Sequence, residues 1–356
     1  MSDTTAPGAH MNAEIVEQPE RWRDLLGAGR GSLEDAAQLI RDAEPELIVF
    51  VARGSSDHAA MYGQYLAHNL LGIPALLSTP STLTAFGTEL RYPASVMFAV
   101  SQSGQSPDLL DTVRAAKRAG VPVISLTNSE TSSLATLGNV HVPLSAGPEL
   151  SVAATKTYTA ELLALYLVLM LAAGEEWTNL EQQVLVASEI ASSVIADAAP
   201  AIARLAATLV DASRMLVVGR GYSMSTAKEG ALKLMETNAI AASGWSAADA
   251  THGPLGQVTP GTPVIVLTAS PGGRESVEVF AETASNLGGH VIAVGVSVAG
   301  STEHIPLVGS ERDDLDPALL PLIEIIPLQQ LALDLALRRG KNPDQPIGLN
   351  KVTKTW

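Results

Sequence analysis

Cysteine is missing altogether from these 356 residues. Disulfides, zinc–thiolate sites and a thiol nucleophile are therefore excluded. Basic residues are scarce: 22 Lys and Arg stand against 37 Asp and Glu, a formal net charge of −15. A nucleic-acid surface or an anionic membrane asks for the opposite sign. A small anionic ligand stays open, because one local cradle of N–H groups can oppose the global charge. Long apolar runs are also lacking. The most membrane-like stretch, Leu162 to Gly174, has 13 residues between Glu161 and Glu175, short of the roughly 20 that span a bilayer. It reads as a buried core helix. The first residues, Met1 to Asn12, are polar and hold no signal-peptide core. A soluble, cytoplasmic protein is the expectation, with neither metal nor cofactor.

What is present is apolar and regular. With 46% hydrophobic and 17% charged residues, the chain can bury a sizeable core, and its length suits two domains. Short apolar runs alternate with helical stretches, the mark of βαβ units and a parallel sheet. Strands are predicted at Leu47–Ala52, Ala75–Ser78, Val96–Ser101, Val123–Thr127 and Val140–Leu144. In the second half they fall at Met215–Gly219, Pro263–Thr268, Val291–Val296 and His304–Val308. Helices are predicted at His58–Leu71, Pro107–Ala119, Thr157–Ala173, Ser223–Asn238, Ser276–Leu287 and Pro317–Arg338.

The halves repeat. Val51-Ala52-Arg53-Gly54-Ser55-Ser56 resembles Val218-Gly219-Arg220-Gly221-Tyr222-Ser223, with Arg53 and Arg220 167 positions apart. Ser103 and Ser270 share that offset, and the strand at 123–126 matches 291–294 at 168. The predicted organisation is a helical segment (1–34), a first α/β domain (35–175), a helical linker (176–205), a second α/β domain (206–340) and a tail (341–356). Each domain is expected to be a doubly wound parallel sheet.

Ser101-Gln102-Ser103-Gly104-Gln105-Ser106 follows a buried strand and precedes a helix start at Pro107. The unpaired N–H groups and positive dipole end of such a helix, with serine hydroxyls added, make a phosphate cradle. The plainer reading is a serine N-cap. Gly54-Ser55-Ser56-Asp57 is a second turn of the same kind, and in an open parallel sheet both lie at the carboxyl edge where ligands bind. At Gly219–Met224 the third glycine of a dinucleotide fingerprint is missing and Tyr222 is bulky. Glu229, Lys233 and Glu236 share one helix face. They are either a solvated Glu–Lys stripe or a partly desolvated proton-transfer group. His252, before Gly253-Pro254, lies on a turn and can serve as acid or base. Lys351 lies in the tail, where nothing local distinguishes it.

Together these stretches resemble the sugar isomerase (SIS) domain family in its tandem form. The carriers are Gly54–Ser56, Ser101–Ser106, Ser151-Val152-Ala153-Ala154-Thr155-Lys156-Thr157, Glu229–Glu236, His252-Gly253-Pro254 and Asp344-Gln345-Pro346. Their order is that of the isomerase half of glucosamine-6-phosphate synthase. Gly54–His58 and the ending Asn342–Thr353 are most similar to SIS-type glucosamine-6-phosphate deaminases.

The resemblance implies two flavodoxin-like domains. It implies that Ser55, Ser56, Ser101, Gln102, Ser103 and Ser106 meet the sugar phosphate, that the backbone of Val152 and Ala154 meets the sugar, and that Lys233 belongs to the site. Glu236 matches the base that moves a proton between C1 and C2. His252 matches the ring-opening histidine supplied by a neighbouring subunit, so a homodimer is implied. Lys351 matches the tail lysine that meets the ketose carbonyl. A glutaminase domain is not expected in the roughly 45 residues before the first strand. The implied activity is isomerising deamination of glucosamine 6-phosphate. The alternatives are an aldose–ketose isomerase or deglycase for another phosphorylated sugar, or a non-catalytic sugar-phosphate sensor.

Overall fold

The computed structural model describes residues 6–307 and 312–351. The last residue of the strand predicted at His304–Val308 and the end of the tail lie outside the described residues. The chain opens with helix α1 (Ala9–Ala43), which passes through Pro19. Then follow β1 (Leu47–Val51), α2 (Ser55–Leu66), β2 (Ala75–Leu77), α3 (Ser81–Thr84), β3 (Ser95–Val100), α4 (Pro107–Arg118), β4 (Val123–Thr127), α5 (Ser133–Leu137), β5 (Val140–Pro143) and α6 (Lys156–Ala172). Helices α7 (Trp177–Asp197) and α8 (Ala199–Thr208) occupy the predicted linker. The second half runs β6 (Arg214–Gly219), α9 (Ser223–Asn238), β7 (Ala241–Ser246), α10 (Ala247–Ala250), β8 (Pro263–Leu267), α11 (Arg274–Asn286), β9 (His290–Gly295), β10 (Glu303–Pro306) and α12 (Leu320–Arg338).

The strands form two five-stranded sheets, ordered β2-β1-β3-β4-β5 and β10-β9-β8-β6-β7. Every pairing is parallel. Strands covered on both faces must be apolar throughout, and Ser95–Val100 and Pro263–Leu267 are buried at every position. Two doubly wound α/β domains in tandem are therefore present.

Strand β7 has no counterpart among the predicted strands. Its sequence, Ala-Ala-Ser-Gly-Trp-Ser, is poor in β-branched residues. It pairs with β6 from Arg214↔Ala241 to Gly219↔Ser246, so register with a strong neighbour overrides weak propensity. The repeat held the clue: shifting Ala75 by the 167-residue offset lands on Ala242.

Two compact units interleave along the chain. Among the described residues, one comprises 6–19, 149–155, 186–307 and 312–351; the other comprises 20–148 and 156–185. The first sheet lies in the latter and the second sheet in the former. The 149–155 loop and the tail through Lys351 thus group with the second sheet.

Among the described residues, the single unbroken helix long and apolar enough for a membrane span is Pro317–Arg338, whose most apolar 18-residue window has mean hydropathy 1.5; the helix that holds most of Leu162–Gly174 is 17 residues long. Its apolar window is 89% buried within the protein, the pattern of a core helix. Helix α6 is buried nearly all round, as a helix without a polar face must be.

Candidate active site

In the first sheet the chain leaves β1 toward β2 on one side and returns to β3 on the other. The carboxyl ends of β1 and β3 therefore flank the point where strand order reverses, the usual ligand crevice of such sheets. The 54–57 and 101–106 turns stand side by side there.

The 101–106 turn is built from within. Gly104 has φ +61°, and a Cβ there would come within 2.3 Å of the Ser132 hydroxyl; glycine meets both demands. The Ser101 hydroxyl, buried, accepts the Gly104 N–H at 3.1 Å. Backbone bonds from Asn128 to the Gln102 carbonyl (3.1 Å) and from Leu134 to the Gly104 carbonyl (3.1 Å) pin the turn to the loop after β4 and to α5. The Ser103 oxygen accepts the Gln105 N–H at 3.4 Å. Ser106 occupies the N-cap of α4, yet its side chain accepts no helix N–H. The capping explanation thus does not account for its hydroxyl.

Asp108, in the first turn of α4, would oppose an incoming anion. Its buried carboxylate is instead paired with Arg53, whose Nη2 and Nε lie 2.6 and 2.8 Å from one oxygen. This pair neutralises the helix start and ties the β1–α2 turn to it.

Ser56 is buried, and its hydroxyl donates to Glu161 of α6 at 2.7 Å. The second half repeats this pair: Ser223 donates to Glu324 of α12 at 3.0 Å. Burial raises the Glu324 carboxyl to about 7, against lowering by the Ser223 hydroxyl and by backbone N–H groups of Ser270 and Ala269. Each pair fixes the helix that follows a central strand to a core helix. Ser55 is half-buried at the first turn of α2. A lone glutamate inside an apolar helix, Thr-Ala-Glu-Leu-Leu or Leu-Ile-Glu-Ile-Ile, is the sequence signal for both acids.

The reversal point of the second sheet is tied off by its own arginines. Arg274 donates to the Thr268 and Ala269 carbonyls, both at 2.8 Å. Arg220 donates to Ser246 at 3.0 Å. The repeat therefore keeps the fold and changes the turn chemistry.

Helix α9 carries the candidate acid–base group. Lys233 is fully buried, with Nζ 3.1 Å from Glu229 Oε1 and 2.7 Å from Glu236 Oε2. Burial alone would lower its pKa, but the two carboxylates more than offset this and hold it above the ordinary lysine range. Glu229 has no exposure, whereas the Glu236 side chain is 22% exposed. Of the three, Glu236 is the one that reaches solvent. The solvated-stripe reading is thereby excluded. Gly230 lets α12 approach: a Cβ there would sit 2.2 Å from Leu328 Cδ2.

His252 is exposed on the loop after α10, its N–H bonded to the Asp249 carbonyl at 3.0 Å. Val152 and Ala154 are half-buried in the 149–155 loop. Lys351 Nζ lies 2.6 Å from Glu149 Oε2, a partner that sequence reading missed. Among the described residues, no cluster of three or more His, Asp or Glu side chains is placed to hold a metal ion.

Fold and turns together define a tandem α/β protein whose first sheet offers a hydroxyl-rich crevice and whose second carries a buried Glu–Lys–Glu group. The SIS domain family matches residues 40–171 and 208–337, and the chain belongs to that family. It is 32% identical over 352 residues to the glutamine–fructose-6-phosphate aminotransferase (isomerizing) of Thermococcus kodakarensis. It is 35% identical to that of Methanothermobacter thermautotrophicus. Each match covers 96% of this chain but only 57% and 56% of the relative, so the chain spans little more than half their length. Among solved structures, a chain from Silicibacter pomeroyi provisionally named a phosphosugar isomerase superposes with TM-score 0.85 at 31% identity, covering 94% of this chain and 99% of that one. The glucosamine-6-phosphate deaminase of Thermotoga maritima shares the fold, with TM-score 0.76 at 20% identity and coverage of 98% and 100%.

Proposed function

We propose that this chain is an enzyme acting on phosphorylated amino sugars. It converts glucosamine 6-phosphate and water to fructose 6-phosphate and ammonia. The observation that carries the reading is the α9 group, in which Glu236 reaches solvent while Lys233 and Glu229 are sealed. A carboxylate anchored at one oxygen by a buried ammonium is oriented and keeps its other oxygen for proton transfer.

In this reading the 101–106 turn holds the phosphate through hydroxyl and N–H groups. His252 moves a proton as the pyranose opens. Glu236 takes the proton from C2 of the open-chain aldehyde and returns it to C1. One amine proton passes to the C1 oxygen, which leaves a hydroxymethyl group at C1 and an imine at C2. Water adds to the imine carbon, the C–N bond breaks, and ammonia leaves with fructose 6-phosphate. The reading also takes the protein to be a cytoplasmic homodimer with His252 donated to the neighbouring copy, bound to neither nucleic acid nor membrane.

The test is coupled ammonia release from glucosamine 6-phosphate, with galactosamine 6-phosphate as comparator. Glu236→Gln is expected to lower kcat at least about 10³-fold, near the upper range for loss of a general base. Sugar-phosphate affinity by calorimetry should stay within about twofold, since the base is not a phosphate contact. Full turnover by the variant would refute the assignment of Glu236. The second reading, an aldose–ketose isomerase, is favoured by near-complete coverage of the Silicibacter chain. Interconversion of sugar phosphates without ammonia would select it.

A further inference from the structure

Glu149 opens the loop that carries Val152 and Ala154, and its side chain has no exposure. One oxygen accepts the Thr155 N–H at 2.9 Å. The other meets Lys351 Nζ at 2.6 Å. The loop is also held by Glu14 of α1, one oxygen of which accepts the N–H groups of Leu150 and of Ser151 (3.2 Å). The tail reaches this place by a separate anchor. The Asp344 carboxylate accepts the His10 and Met11 N–H groups at 3.2 and 2.8 Å, and its carbonyl accepts the Val152 N–H at 3.1 Å. Between the anchors, residues 345–350 are exposed or half-exposed. The position of the Lys351 ammonium is therefore set by Glu149, with 24% of the lysine side chain left open to solvent.

We propose that Glu149 is a positioning residue for Lys351, holding its ammonium against the 149–155 loop so that the remaining N–H donors face the carbonyl of a sugar bound there. A sealed carboxylate without its cation is costly, so the pairing draws in a lysine that otherwise ends an exposed segment. An ammonium has three donors; one meets Glu149 and the others stay free to polarise an oxygen. The inference rests on the proposed function only in taking Lys351 to meet the substrate.

Two measurements on the full chain test it. Trypsin cleaves after lysine, and cleavage at the bond following Lys351, followed by mass spectrometry, reports whether the side chain is held. Glu149→Gln is expected to speed that cleavage at least about fivefold under conditions where cleavage tracks local opening. Equal rates would overturn the pairing. In ammonia release, Glu149→Gln is expected to lower kcat at least about tenfold with KM within about twofold, the signature of a contact made in the transition state. Adding Lys351→Ala should cost nothing more, because the two act as a unit; additive losses would overturn the role. If Glu149→Gln does not fold, Glu149→Asp keeps the charge but withdraws it by one methylene, and both readouts apply unchanged. A chain that releases no ammonia from any sugar phosphate would defeat the proposed function, while the trypsin comparison would still judge the pair.

Discussion

Glu324 makes the stability of this protein depend on pH with an unusual sign. Its carboxyl is sealed in α12, and burial raises it from 4.5 to about 7, against the Ser223 hydroxyl and nearby N–H groups. Between those two values the native chain keeps a proton that the unfolded chain has lost. The contribution is fully present below about 4.5 and is lost as pH rises through 7. A displacement of this size, at 1.36 kcal/mol per unit, amounts to about 3 kcal/mol. Glu324→Gln removes the titration and keeps the shape and a hydrogen-bonding group for Ser223. Urea unfolding at pH 5 and pH 8 measures it. The loss of unfolding free energy between the two pH values should be smaller in the variant than in the wild-type chain by about 2.5 kcal/mol, because the unfolded carboxyl is already mostly ionised at pH 5. A variant with the same loss as the wild type would refute the argument. Glu14 titrates in the same window, raised to about 7 first by burial and then by the charge of Glu149, so some pH dependence should survive in Glu324→Gln.

Two further outcomes follow from the site. Lys233→Met strands the carboxylates of Glu229 and Glu236 around an apolar side chain, and removing one member of a buried ion pair costs about 3–5 kcal/mol; thermal unfolding should show a large fall, and an unchanged midpoint would contradict the buried network. Gly104→Ala forces a Cβ to 2.3 Å from the Ser132 hydroxyl at a positive φ. Backbone strain of this kind costs about 1–3 kcal/mol, and inorganic phosphate or sugar phosphate should bind more weakly by calorimetry; equal affinity would remove the 101–106 turn from the binding site.

Much of the architecture was legible because it depends on local chemistry. Unbroken apolar runs such as Leu47–Val51 and Pro263–Leu267 declare strands buried on both faces. The 167-residue offset declared the duplication. Strand β7 was missed because its small residues carry no strand preference, and it forms by pairing with β6. The Glu229–Lys233–Glu236 face was visible as a spacing, but its burial was not. A solvated stripe and a sealed ion network have the same periodicity, and only packing against the core tells them apart.

The sequence by itself determined the two doubly wound sheets, the hydroxyl-rich turn after β3 and the helix that carries Glu236. Spacing of apolar residues and turn chemistry act over a few residues, and a linear pattern records them. Tertiary structure alone decided the long-range partners. Arg53 neutralises Asp108 from 55 positions away, Ser56 and Ser223 bond to Glu161 and Glu324, and Lys351 closes on Glu149 across 202 positions. A charged side chain buried in a core must find its counterpart wherever the fold supplies one, and spacing along the chain says nothing of where that is.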